Sequence, residues 1–142
     1  MLSFKRVRNP HTGECYLETS MTGKSMLTIP QLNKGTAFSD EERENFSLLG
    51  KLPAKIETLE EQTKRAYQQY STFSNNLNKN IYLNNLHDTN QVLFYNLVGK
   101  HLSEMLPSIY TPIVGTAVKQ FSREFRKTRG LYIPYTFADK IE

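Results

Sequence analysis

Two Ser/Thr-x-x-Glu signatures constrain this chain more than any other feature. Ser39-Asp40-Glu41-Glu42 and Thr58-Leu59-Glu60-Glu61 each place a hydroxyl where it can accept the backbone N–H three residues on. The glutamate of each reaches back to the N–H of the capping residue. Acidic side chains in the first turn also meet the positive end of the helix dipole. Behind the second signature, Leu59, Ala66, Tyr67 and Tyr70 recur at helical spacing. Such starts predict a chain built from helices.

The remaining elements follow from the same signals. The first helix is expected to bury Phe46 and Leu49 and to stop at Gly50. The second loses its pattern over 71–76, where Ser and Asn offer the backbone competing bonds. A short helix is expected over 77–86. Asp88, with Gln91 in the box position, is expected to cap a longer helix. Its apolar face would carry Val92, Leu93, Leu97, Val98, Leu102, Met105 and Leu106, until Pro107 breaks it. Thr111 then caps a new helix with Pro112 in its first position, followed by Val114, Val118, Phe121 and Phe125. Residues 1–38 read as irregular, with turn signals at Asn9-Pro10 and Thr12-Gly13 and weak strand character at 15–18 and 26–29. Beyond Gly130 the period changes, and LYIPY (131–135) reads as a strand without a partner. The expected fold is mainly α, in three parts: an irregular segment 1–38, a helical unit 39–128, and a strand at 129–142 that opens a further domain.

Composition removes several function classes. The chain has 142 residues and one cysteine, Cys15, so an intrachain disulfide and a cysteine-based zinc site are excluded. Lone Cys15 reads as an inert side chain in a reducing, cytoplasmic setting. No apolar run approaches the roughly 18 residues of a membrane span, and none follows the basic N-terminus as a secretory signal requires. A net charge of +4 is a weak pointer to a polyanion. The run Arg123, Arg126, Lys127, Arg129 reads as a solvated helix end that complements the dipole, so neither nucleic acid nor membrane is expected as a partner. No G-x-G-x-x-G or Walker-type loop is present. His11, His87 and His101 lie far apart; His87 reads as loop polarity and His101 as a half-buried helix residue. Tyr67, Tyr70, Tyr82 and Tyr95 have the spacing of packing residues.

The segment MLPSIYTPIVG (105–115) holds the most chemistry. Tyr110 stands just before the expected helix start, where free N–H groups and the positive dipole end favour an anion. Two readings stay open on the residues alone. Tyr110 could exchange a proton with a substrate. It could equally be a hydrophobic staple, its ring packed on the new helix.

Six blocks in order carry a resemblance: LNKGTAFSDEER (32–43), LLGKLP (48–53), TLEEQTKRAY (58–67), NIYLNNLHDTNQVLFY (80–95), HLSEMLPSIYTPIVG (101–115) and RGLYIPY (129–135). Together they resemble the N-terminal domain of malic enzymes, most nearly the bacterial NAD-linked form. The resemblance implies oxidative decarboxylation of L-malate to pyruvate and CO2, with NAD or NADP and a divalent Mg or Mn ion, by a homo-oligomer. It implies that Tyr110, in the IYTP motif, is the general acid that protonates enolpyruvate. It also implies that the malate-binding arginine, the lysine base, the metal ligands and the dinucleotide fold lie outside these residues. The isolated chain is accordingly expected to be inactive. Some eukaryotic relatives bind fumarate through two arginines of this domain; Arg65 matches the first, but Thr89 stands at the second. Ile113 and Pro134 depart from the family wording. A malolactic enzyme, which makes lactate, and a helical interaction module are the alternative readings.

Overall fold

The computed structural model describes residues 4–124, 127, 128 and 131–140. Strands β1 (Phe4–Arg8) and β2 (Cys15–Thr19) pair antiparallel, from Phe4 opposite Thr19 to Arg8 opposite Cys15. Asn9 closes their turn, its Oδ1 accepting the backbone N–H groups of His11 and Thr12. Residues 4–38 therefore hold more regular structure than the sequence suggests. The strand character at 26–29 is also overturned: α1 (Gly23–Leu27) occupies that stretch and buries Met26.

Helix α2 (Asp40–Asn45) carries the full capping box expected at Ser39 and Glu42. It ends earlier than Gly50. The N–H of Leu48 bonds the carbonyl of Arg43, and that of Ser47 bonds Glu44, with Ser47 left-handed at φ 54°. This is a Schellman closure with serine in the position glycine usually takes. The turn aims Leu48, not Leu49, into the core; Leu49 is 60% exposed.

Helix α3 (Leu59–Thr72) has its expected box at Thr58 and Glu61. Helix α4 (Asn76–Thr89) is longer than its composition suggests and absorbs Asp88, which is therefore not the N-cap of the next helix. The cap is Asn90, whose Oδ1 accepts the Leu93 N–H at 3.0 Å and starts α5 (Gln91–Lys100). At His101 the backbone leaves helical values, so the long apolar face expected here is split between α5 and α6 (Leu102–Ile109). Leu93, Leu97, Val98 and Met105 are buried, while Val92, Leu102 and Leu106 stay outside. Pro107 lies within α6 and does not break it; the ring forgoes one ladder bond in a helix of only two turns.

Helix α7 (Ile113–Lys119) begins one residue later than expected, with Pro112 as its N-cap and a cis Thr111–Pro112 bond before it. Helix α8 (Phe121–Glu124) follows after a break at Gln120. Phe125, Arg126, Arg129 and Gly130 lie outside the described residues. The strand expected over 131–135 is not formed. Residues 131–134 have no regular structure and Tyr135–Lys140 is a 3₁₀ helix. A strand is held by its neighbours' hydrogen bonds, and no described strand lies beside this one.

Two apolar clusters form the core. Met26, Leu32, Phe38 and Leu48 make the first, and Ala66, Tyr70, Leu83, Leu93, Leu97, Val98 and Met105 make the second. In the second, α4 packs against α5, α6 and α7, and α3 lies on α5. The fold is mainly α, as the capping signals indicate.

Candidate functional site

Tyr110 is the residue that ends α6. Its N–H bonds the Leu106 carbonyl at 3.0 Å, and its backbone is extended, at φ −125° and ψ −176°. The side chain is 66% exposed, and among the described residues nothing hydrogen-bonds its hydroxyl. The staple reading required a ring packed on the next helix, which this exposure does not provide. The expected anion-favouring terminus is modest too, since α7 has only seven residues.

The residues before Tyr110 are held tightly. Ser108 is 1% exposed, and its Oγ lies 3.1 Å from the hydroxyl of fully buried Tyr70 and 3.2 Å from Asn76 Oδ1. The amide of Asn80 donates to the Ser108 carbonyl at 2.8 Å. A cleft of about 330 Å³ opens beside this knot, walled by Leu83, Phe94, Ile109, Ala117 and Tyr132, with Asn84 among its polar lining. That volume is at the low end for ligand pockets. Ile109 and Val114 line the cleft, and Tyr110 between them is not part of its wall.

The other candidates separate in space and in role. His87 is not a loop residue: it is buried in α4, with Nε2 3.3 Å from the Tyr95 hydroxyl and its ring edge-on to Phe94. His101 is half-buried as expected and stacks on Tyr67 with centroids 3.9 Å apart. The Tyr67 hydroxyl donates to Glu104 at 2.8 Å, and this acceptor pushes the phenol above its ordinary pKa. Burial does the same to Tyr82, whose hydroxyl donates to the Ala66 carbonyl. His11 and Cys15 are exposed in the β-hairpin region. Arg65 pairs with the buried carboxylate of Glu57, which also accepts from Thr36 Oγ1 at 2.9 Å. Thr89 Oγ1 donates to the Asn85 carbonyl within its own helix.

Among the described residues, no group of three or more His, Cys, Asp or Glu side chains is gathered for a metal ion. With no glycine-rich phosphate loop in the sequence, these residues do not fit a metal or dinucleotide site. Among the described residues no helix is long and apolar enough to cross a membrane.

Sequence reasoning missed Ser108 and Asn80. Nothing in the spacing of the α4 asparagines marks Asn80 apart from its neighbours, because their difference lies only in which of them faces α6.

Residues 87–142 match the family described as malic enzyme, N-terminal domain. The NAD-dependent malic enzyme of Shewanella pealeana is 54% identical over 120 residues, covering 84% of this chain and 21% of that enzyme. That of Aeromonas hydrophila gives the same values. NAD-dependent malic enzyme 3 of Bacillus subtilis is 52% identical over 122 residues, covering 86% of this chain and 22% of that enzyme. The chain thus spans about a fifth of the length of the curated relatives it matches. A match of residues 87–142 to the malic enzyme N-terminal domain, and 52–54% identity over most of the chain, make this mainly helical chain similar to the N-terminal domain of malic enzymes.

Proposed function

We propose that this chain serves as the N-terminal domain of a cytoplasmic, homo-oligomeric NAD-dependent malic enzyme that converts L-malate to pyruvate and CO2. The observation that carries this is the 54% identity over 84% of the chain, with Tyr110 inside the IYTP block. NAD and a divalent ion belong to the reaction but are held by residues other than those described here.

The part assigned to this chain is a proton transfer. Loss of CO2 from the oxidised substrate leaves an enolate, whose C3 must gain a proton to become the methyl group of pyruvate. Tyr110 Oη gives up that proton, the new C–H bond forms at C3, and the phenolate regains a proton from solvent. The exposed ring at the end of α6 suits a donor that meets a substrate bound against another surface. Exclusion of water from the reacting carbon then falls to that opposing surface, because the described residues leave Tyr110 open.

Tyr110→Phe in the enzyme that carries this chain tests the assignment. Removing a general acid costs about two to four orders of magnitude in turnover. Pyruvate formation is expected to fall by that factor, with the far-UV dichroism unchanged. Turnover near that of the parent reduces Tyr110 to a surface ring. Lactate in place of pyruvate identifies the malolactic reaction instead.

A further inference from the structure

Tyr110 has an exposed ring and an unusually well-anchored backbone. Helix α6 ends at Ile109, so its last carbonyls have no partner within the helix. The Leu106 carbonyl is taken by the N–H of Tyr110 itself. The Ser108 carbonyl is taken by the Asn80 amide at 2.8 Å, from the middle of α4. The Ser108 hydroxyl meets Tyr70 of α3 and Asn76 of α4. Three helices are therefore tied to one residue, two positions before Tyr110. Tyr70, Asn80 and Ser108 are all at most 4% exposed.

Buried polar groups of this kind cost free energy unless every partner is in place. An apolar core would have done for packing alone. A satisfied polar knot also fixes a single arrangement, because any slip of α6 leaves buried donors and acceptors unpaired. A general acid needs such fixity: its proton has to be delivered within hydrogen-bond reach of the accepting atom.

We infer that Asn80, acting through the Ser108 carbonyl and supported by the Tyr70 hydroxyl, is a positioning residue for proton transfer by Tyr110. This rests on the assignment of Tyr110 as the general acid. Asn80 touches no substrate in this scheme. It sets where α6 stops and so the direction in which the chain presents residue 110.

A double-mutant cycle in the malate-oxidising enzyme tests it. Asn80→Leu keeps the branched shape and the number of heavy atoms and removes the donor. Its kcat is expected to fall between about tenfold and a hundredfold, the scale of a misplacement near 1 Å, with KM for malate within about twofold. In the Tyr110→Phe background the same substitution is expected to change kcat less than about twofold, because groups that act as a unit are not additive. A full loss that persists in that background shows general damage and overturns the inference, as does an unchanged kcat in the single variant. Tyr70→Phe, which removes one hydroxyl and leaves the packing, gives the same test if Asn80→Leu does not fold. Its smaller loss should likewise vanish in the Tyr110→Phe background. If Tyr110→Phe alone turns over normally, the general-acid assignment itself falls, an outcome distinct from failure of the cycle.

Discussion

The two core clusters each close around a buried polar group, and they do so in opposite ways. Beside the first, of Met26, Leu32, Phe38 and Leu48, lies Arg43, which is 4% exposed and bonds the Phe38 carbonyl. Its guanidinium faces backbone, not a carboxylate: Nε donates to the Phe38 carbonyl at 3.0 Å, Nη1 to Pro53 at 2.8 Å and Nη2 to Thr36 at 3.3 Å. In the second, the neutral Tyr70–Ser108–Asn80 knot is almost entirely side chain, with a single carbonyl involved. The difference follows from secondary structure. Residues 33–57 are mostly loop, and loops bring into the interior carbonyls that no ladder pairs. One arginine, with five donors in a fixed fork, satisfies several at once. In the helical half most carbonyls are already paired within their helices, so outside donors serve chiefly the helix ends, Asn80 at the end of α6 and Asn33 at the end of α4.

The loop-rich half has further clamps of the same sort. Gln62 Nε2 donates to the Lys34 carbonyl, and Asn33 Nδ2 bridges the carbonyls of Leu27 and Thr89. Gly35, at φ +57°, brings its backbone so close that a Cβ would stand 2.9 Å from Gln62 Oε1. The left-handed backbone favours glycine there, and a larger residue would also make the end of the Gln62 side chain shift.

The comparison can be broken most severely at Arg43. Arg43→Leu leaves buried carbonyls unpaired and is expected to cost about 3 kcal/mol or more, at 1–3 kcal/mol for each orphaned group. Hydrogen exchange should then show lost protection over 26–57 with α3 to α6 still protected. Equal loss in both halves means that the two clusters unfold as one unit, and the contrast drawn above does not extend to stability. A smaller effect is expected at the joint between α4 and α5. Asn90→Ala removes the cap bond to Leu93 and should cost about 1 kcal/mol in denaturant unfolding. No change there means that Asn90 contributes only its backbone turn.

The smallest effect is expected from acid. Glu61 is held below its ordinary pKa of 4.5 by the backbone and side chain of Thr58. Burial pushes Glu42 the other way, but Lys34 at 2.6 Å and the Ser39 N–H outweigh it and the net direction is also downward. A carboxyl with a lowered folded pKa stabilises the fold above its unfolded value, and that contribution is lost as pH falls through the folded one. The melting temperature should therefore hold steady down to about pH 4.5 and decline below it. In Glu61→Gln the decline should be shallower. An identical decline in that variant assigns the acid sensitivity to other groups.

The capping boxes at Ser39 and Thr58 were legible because their partners lie three residues away, within reach of local rules. So was Tyr110 as the residue to watch, since its motif is local. Other signals were legible but misplaced. Asp88 reads as a cap, and only the extended backbone at Asn90, φ −149°, moves the cap two residues on. The proline of α6 carried a break signal that a two-turn helix ignores. LYIPY has the side chains of a strand, but a strand also needs a neighbour to bond, and Leu131 and Tyr135 stay 84% and 95% exposed.

What the sequence determined by itself, then, is helical character and where α2 and α3 begin. Each is a short-range matter of backbone N–H groups and side chains a turn apart. Only the tertiary structure decided that Arg43 is an interior donor rather than a surface charge. It also chose Asn80 among the asparagines of α4 to hold Ser108, 28 residues away. Those roles depend on which face meets which neighbour, and no local pattern encodes a partner that distant.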